Sequence, residues 1–207
     1  MMAKNKGNNG LYEKHASGLV VVKSKNSNFN ADFTGTPRRL PDEKGTVYAT
    51  DKSLKYCIRK YLKDTTGEKV FVWRRKSKEG NPLKVEENYA RLFEGHMESN
   101  NKKKALPAKK EILEDLLECV DVRLFGVTFA PGEDKKNLSI TGPVQMSYGL
   151  NRADGNVHYT NQILSPYQPK EGGQQTTIGE ESKGLESHYV FDFIVNPNHL
   201  RDGIEDL

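Results

Sequence analysis

Cysteine and tryptophan are scarce in this 207-residue chain, which has two of the first and one of the second. Cys57 and Cys119 each stand alone in an amphipathic pattern, which excludes a disulfide framework or a cysteine metal site. Both are expected as small core residues in a reducing compartment. No stretch approaches the roughly 18 apolar residues of a membrane span, and "MMAKNKGNNG" has no apolar segment of signal-peptide length. A soluble cytoplasmic protein without a membrane partner is expected. The histidines, His15, His96, His158, His188 and His199, are scattered without the spacing of a metal pair. There is no glycine-rich phosphate loop and no nucleophile elbow. These absences count against catalysis, so no catalytic residue, metal or cofactor is expected.

Hydrophobic residues make up 35% and charged ones 29% of the chain, the former below the roughly 45–50% usual for globular proteins, a range that also counts glycine. A mostly polar surface fits a polar partner. Charge is also unevenly placed. Residues 1–110 carry 25 Lys and Arg against 12 Asp and Glu, a balance of +13, whereas residues 111–207 carry 7 against 16, a balance of −9. The basic half suits a polyanion, and the acidic half suits the basic half of a like subunit; the bland alternative is two solvated faces.

The run "SGLVVVKSK" predicts a buried strand over Gly18–Lys25. Leu54, Cys57, Ile58, Tyr61 and Leu62 recur at helical steps and predict a helix over residues 50–64, capped by Thr50 or Asp51. A strand near Lys69–Arg75 follows, and from Asn81 to Ala108 the pattern dissolves into what reads as an insertion or mobile loop. Ile112, Leu113, Leu116, Leu117 and Val120 predict a second amphipathic helix with Glu111, Glu114, Asp115 and Glu118 on its solvated face. It runs into a strand over Val122–Phe129. "NLSITGPVQMSYG" reads as one more strand, with Gly142 and Pro143 marking a bulge or close backbone approach. Residues 151–186 are polar and glycine-rich and read as a projecting hairpin-like arm. Ser187–Val195 reads as a central strand, apolar on both faces except at Asp192. This succession implies an α+β, ferredoxin-like sandwich.

The connection "NSNFNADFTGTPRR", residues 26–39, is far longer than the usual four to six residues. Asn28, Asn30 and Asp32 suit unusual turns and contacts to bases or sugars, and Phe29 and Phe33 suit stacking on unpaired bases. Equally concrete is a reading in which the asparagines cap turns and the rings fold onto the core. On the helix, Lys52, Lys55, Arg59 and Lys63 lie along one side and, with Arg38 and Arg39, form a cationic track suited to backbone phosphates. A merely solvated helix face is the alternative. Asp32 and Asp51 flank the track, a placement that would suit a divalent cation beside RNA, but an N-cap role accounts for Asp51 more simply.

Several of these stretches together resemble the backbone subunit of type I CRISPR surveillance complexes, the Cas-seven family of the RAMP superfamily, most like its I-B form. They are Asn28 and Asn30, Pro37 and Arg38, then Thr50, Asp51, Leu54, Lys55, Ile58, Arg59 and Leu62, then "DVRLFG" (Asp121 to Gly126) and "TGPVQ" (Thr141 to Gln145). The resemblance implies a palm with a modified RNA-recognition-motif fold, made by residues 1–80 and 109–150 with the strand of 187–207. It also implies a finger-like helical insertion at 81–108 and a thumb-like arm at 151–186. Copies stack head to tail as a helical filament along CRISPR RNA in a prokaryotic cytoplasm, beside other subunits of the complex, leaving guide bases free for target DNA. Two departures stand out. The family's Asn-Pro-Asn-Gly-Asp loop is "NSNFNAD" here, and relatives commonly continue beyond "NHLRDGIEDL", which implies a shortened C-terminus.

The reading is therefore a non-catalytic guide-RNA scaffold whose RNA contacts are Asn28, Phe29, Asn30, Arg38, Arg39, Lys52, Lys55, Arg59, Lys63 and Gln145. One alternative is a RAMP endoribonuclease that cuts CRISPR precursor or target RNA. Related type III subunits cut through an aspartate of the first loop, which points to Asp32; a processing nuclease needs a base such as His15 or His158. A third reading is an acidic/basic interaction protein that binds no nucleic acid.

Overall fold

The computed structural model describes residues 12–100, 103–132, 136–164, 167 and 177–205. In chain order, β1 (Ala16–Lys25) and a short β2 (Tyr48–Ala49) precede α1 (Asp51–Thr65). Next come α2 (Val85–Leu92), a 3-10 turn at Glu94–His96, and the paired strands β3 (Glu98–Asn100) and β4 (Lys103–Ala105). Then follow α3 (Lys109–Leu117), α4 (Val120–Phe125), β5 (Gly126–Phe129), β6 (Leu138–Thr141), β7 (Val144–Met146) and β8 (Gly149–Asn151). Last are β9 (His158–Leu164), β10 (Thr177–Gly184), β11 (Glu186–Val195) and α5 (Asn198–Glu205). The protein is thus a mixed α and β structure with antiparallel sheets. No helix among the described residues is long and apolar enough to cross a membrane.

The chain divides into two compact units, each assembled from segments distant in sequence. One takes described parts of residues 18–57 and 146–193. Its sheet runs β1-β11-β8-β2, so β11 has a neighbour on each side. Ser187, Tyr189 and Phe191 alternate inward along β11, and with Val47 and Ala49 they are buried. The intervening residues are half-buried or exposed, so the strand expected to be covered on both faces packs on one. Gly149 is required here because a Cβ at that position would sit 2.4 Å from the Phe191 ring. Within residues 151–186, read above as an arm, β9 and β10 pair antiparallel, from His158 opposite Gly184 to Leu164 opposite Thr177; residues 165–166 and 168–176 of that expectation lie outside the described residues.

The other unit takes residues 58–145 with flanking segments, and its core gathers Phe71, Tyr89, Phe93, Ile112, Leu116, Cys119, Val122, Phe129, Leu138 and Ile140. Within 81–108, read above as patternless, α2 forms with Asn88 and Tyr89 buried, and Phe93 at its C-cap is buried one turn further on. On α3, Asp115 faces the interior rather than solvent, accepting the Tyr89 hydroxyl and lying 2.6 Å from His96 Nδ1. Burial first, and Asp115 second, push the Tyr89 phenol above its ordinary pKa. The strand expected over Val122–Phe129 is α4 followed by β5, because Gly126 at φ 78 ends the helix and turns the chain. A Cβ on Gly126 would lie 2.0 Å from the Ile140 carbonyl oxygen, and one on Gly142 2.4 Å from the Gly126 nitrogen. That backbone approach falls where the expected strand 137–149 breaks between β6 and β7, and a second break at residues 147–148 separates β8.

No strand forms over Lys69–Arg75. The fully buried carboxylate of Asp121 takes over the hydrogen bonds that a partner strand would supply, accepting from the backbone N–H of Phe71 at 2.8 Å and of Val72 at 2.9 Å. Arg59 Nε donates to the same carboxylate at 2.9 Å, and the Arg59 guanidinium lies 5.2 Å from the Phe125 ring centroid. Removing one member of such a buried pair leaves an uncompensated charge, at a cost of about 3–5 kcal/mol. Asp121→Ala should therefore lower the urea unfolding midpoint strongly, whereas Lys60→Ala, which removes a surface pair with Asp64, should leave it unchanged. Equal midpoints for the two variants would refute this role for Asp121.

Candidate functional site

Residues 26–39 form a hydrogen-bonded structure in their own right. Asn26 adopts φ 51, which asparagine tolerates better than most residues. Its N–H and that of Ser27 donate to the carbonyls of Leu185 and Gly184. The Asn28 amide donates to the Ser182 carbonyl at 2.6 Å and the Gly35 carbonyl at 3.0 Å, while its oxygen accepts the Gly184 N–H at 2.9 Å. Asn30 Oδ1 accepts both the N–H and the hydroxyl of Thr50, fixing the entry to α1. Asp32 accepts the hydroxyls and N–H groups of Thr34 and Thr36. The Thr34 hydroxyl first, and the Thr36 hydroxyl second, hold its carboxyl at a pKa of about 2. Phe29 folds onto the sheet, 5.8 Å from Tyr189 and 6.2 Å from Phe191 between ring centroids. Phe33, in the turn that Asp32 braces, is 99% exposed.

A cleft of about 630 Å³ opens between this loop, the end of β1 and the first turns of α1. Lys23, Lys25, Ser27, Phe29, Ser53 and Tyr56 line it with ammonium groups, hydroxyls and aromatic rings. Tyr56 is 52% exposed. Lys23 also reaches Glu186 at 2.9 Å; Lys23 and then His188 keep that carboxylate below its usual pKa. Sequence reasoning missed Lys23, Lys25, Ser53 and Tyr56. The available signal was that Ser53, Tyr56 and Cys57 share a helix face at steps of three and four. Cys57, expected in the core, is exposed and lines this cleft, whereas Cys119 is buried.

The cations expected to form one track have diverse surroundings. Arg38 Nε donates to the Ala31 carbonyl. Arg39 donates to the carbonyls of Gly45 at 2.8 Å and Asn156 at 2.5 Å and lies 2.8 Å from His158 Nδ1. Lys52 is exposed, and Lys55 pairs with Asp51 at 2.9 Å. Arg59 is 8% exposed and pairs with Asp121, so it faces the core instead of joining a surface track. The buried stripe of α1 is accordingly rotated, with Leu54 and Arg59 inward and Cys57 and Tyr61 exposed. Lys63 is exposed, 5.5 Å from the Trp73 ring centroid. Gln145 Nε2 donates to the Gly142 carbonyl at 2.7 Å. Among the described residues, no three His, Cys, Asp or Glu side chains gather as a metal site.

The chain has the fold of a chain in a "CRISPR RNA-guided surveillance complex, pre-nicking", with a TM-score of 0.51 and 15% identity over 93% of this chain and 66% of that one. A chain of a "CRISPR RNA-guided surveillance complex" aligns with a TM-score of 0.47 and 14% identity over 93% of this chain and 54% of that one. The protein thus spans about half to two thirds of the length of these solved chains. No curated protein matches it. The model of the family described as CRISPR-associated protein Cas7 matches residues 14–206, and on that extent of match the chain belongs to the Cas7 family.

Proposed function

We propose that the chain is a non-catalytic backbone subunit of a CRISPR surveillance complex that holds CRISPR RNA. The observation that carries this reading is the cleft beside the 26–39 loop, where Lys23 and Lys25 meet the rings of Phe29 and Tyr56. Ammonium groups beside aromatic faces suit a single strand, with phosphates on the cations and bases or sugars on the rings. In this reading, the sheet and its helices serve as the modified RNA-recognition-motif, ferredoxin-like palm, and β9–β10 serves as the thumb. Arg38, Arg39, Lys52, Lys55 and Lys63 add positive potential, while Asn28 and Asn30 hold the loop in its gripping form. Copies stack head to tail along the guide, other subunits close the complex, and target DNA pairs with the exposed guide bases.

The nuclease reading would rest on Asp32, whose carboxylate is already occupied by Thr34 and Thr36. That engagement favours a turn-bracing role. Its folded pKa of about 2 lies below the ordinary 3.8, so the brace is fully present above about pH 4 and is lost as pH falls through about 2. Asp32→Ala should speed hydrogen exchange across residues 32–37 at neutral pH, and guide and target RNA should stay intact with magnesium or manganese in both proteins. Cuts made by the wild type and lost in the variant would reassign the protein as a nuclease.

For single strands, the slope of log affinity against log salt falls by roughly 0.7 for each lost phosphate contact. Lys23→Gln with Lys25→Gln should weaken binding of unrelated RNAs alike and flatten the slope by about 1.4. Unchanged affinity and slope would remove the cleft from the RNA path.

A further inference from the structure

Between Phe71 and Lys84 the chain turns back on itself: the Ser77 N–H donates to the Asn81 carbonyl, the Leu83 N–H to the Arg75 carbonyl, and Lys76 bridges Pro82. This turn walls a groove of about 310 Å³ lined by Trp73, Arg74, Arg75, Lys84 and Val127. Arg75 donates to Asn88 Oδ1 at 2.7 Å and to the Val70 carbonyl at 2.9 Å, with a longer contact to the Phe71 carbonyl. All three acceptors are neutral. Burial, and then the charge of Arg91, lower the pKa of the Arg75 guanidinium. Asp121, which also acts on it electrostatically, is bonded to Arg59 and two backbone N–H groups. The Glu87 carboxylate accepts the Lys84 backbone N–H at the start of α2. Positive charge is thus concentrated in the groove without a carboxylate hydrogen-bonded to Arg75. Arg74 is exposed, and the Lys63 ammonium lies near the indole.

We propose that this groove is a second binding site, taking an unpaired nucleic-acid strand with a phosphate at Arg74 and Lys84 and a base against Trp73, while Arg75 holds the wall of the groove. The exposed Arg74 guanidinium and Lys84 ammonium suit a phosphodiester, and an indole offers a stacking face that an acidic peptide does not need. The site is independent of the Lys23–Lys25 cleft, so either assignment can fail alone.

Trp73 is the sole tryptophan, so indole emission reports on this groove in the intact chain. Titration with oligo(dT) or oligo(U) should quench it, and the more effective of the two identifies the strand as DNA or RNA. Arg74→Ala with Lys84→Ala should weaken the quenching affinity about tenfold, while Lys23→Gln with Lys25→Gln should change it by less than about twofold. Absence of quenching by both strands, an unchanged affinity in the Arg74/Lys84 variant, or equal quenching by an oligoglutamate peptide would each overturn the proposal.

Discussion

The carboxylate of Asp121 organises the unit formed around residues 58–145. It lies at the start of α4, receives the guanidinium of Arg59 from α1, and satisfies two backbone donors at Phe71 and Val72. Buried donors without partners are costly, so one side chain allows Val70 and Phe71 to be buried without belonging to a sheet. Arg75 and Asn88 complete the arrangement by serving the carbonyls of Val70 and Phe71. In the same segment, Arg123 Nη1 donates to the carbonyls of Leu117 and Glu118 at the end of α3. The stretch "DVRLFG" therefore reads in physical terms: an acid that replaces a strand, a base that caps a helix, and a glycine that permits backbone contact.

What the sequence disclosed followed from periodicity. Helical spacing made α1 and α3 legible, and apolar runs made β1 and β11 so, although β1, expected to be buried, exposes Leu19 and Val21 and buries Ser24 instead, because it packs at the edge of its sheet. Short α2 and α4 did not stand out, since eight and six residues carry too few repeats. Arg59 was misleading because helical spacing gives a direction but not what waits there; its partner lies 62 residues away. Asp115 was hidden in the same way by Tyr89, 26 residues away.

The 26–39 loop illustrates how a composition suited to ligands can be engaged internally. Asn28, Asn30 and Asp32 each satisfy backbone or hydroxyl partners within the protein. The folded-back reading holds for Phe29, which packs on the sheet, whereas Phe33 faces outward. The cleft beside the loop drew its chemistry from the end of β1 and from a helix face, neither of which is conspicuous in composition. Only the fold brings Lys23, Lys25 and Tyr56 to one surface.

The hairpin β9–β10 buries few of its side chains, so alternation does little to fix its register. The Thr160 and Ser182 hydroxyls pair across it, and Asn28 grips Ser182 and Gly184 from the loop. Asn26 and Ser27 add backbone bonds to Leu185 and Gly184. The base of the hairpin and the lip of the cleft are consequently geared together. Residues 26–28 and the end of β10 are thus tied by hydrogen bonds rather than by apolar packing, with Asn28 as the joint between two mostly polar parts of the unit.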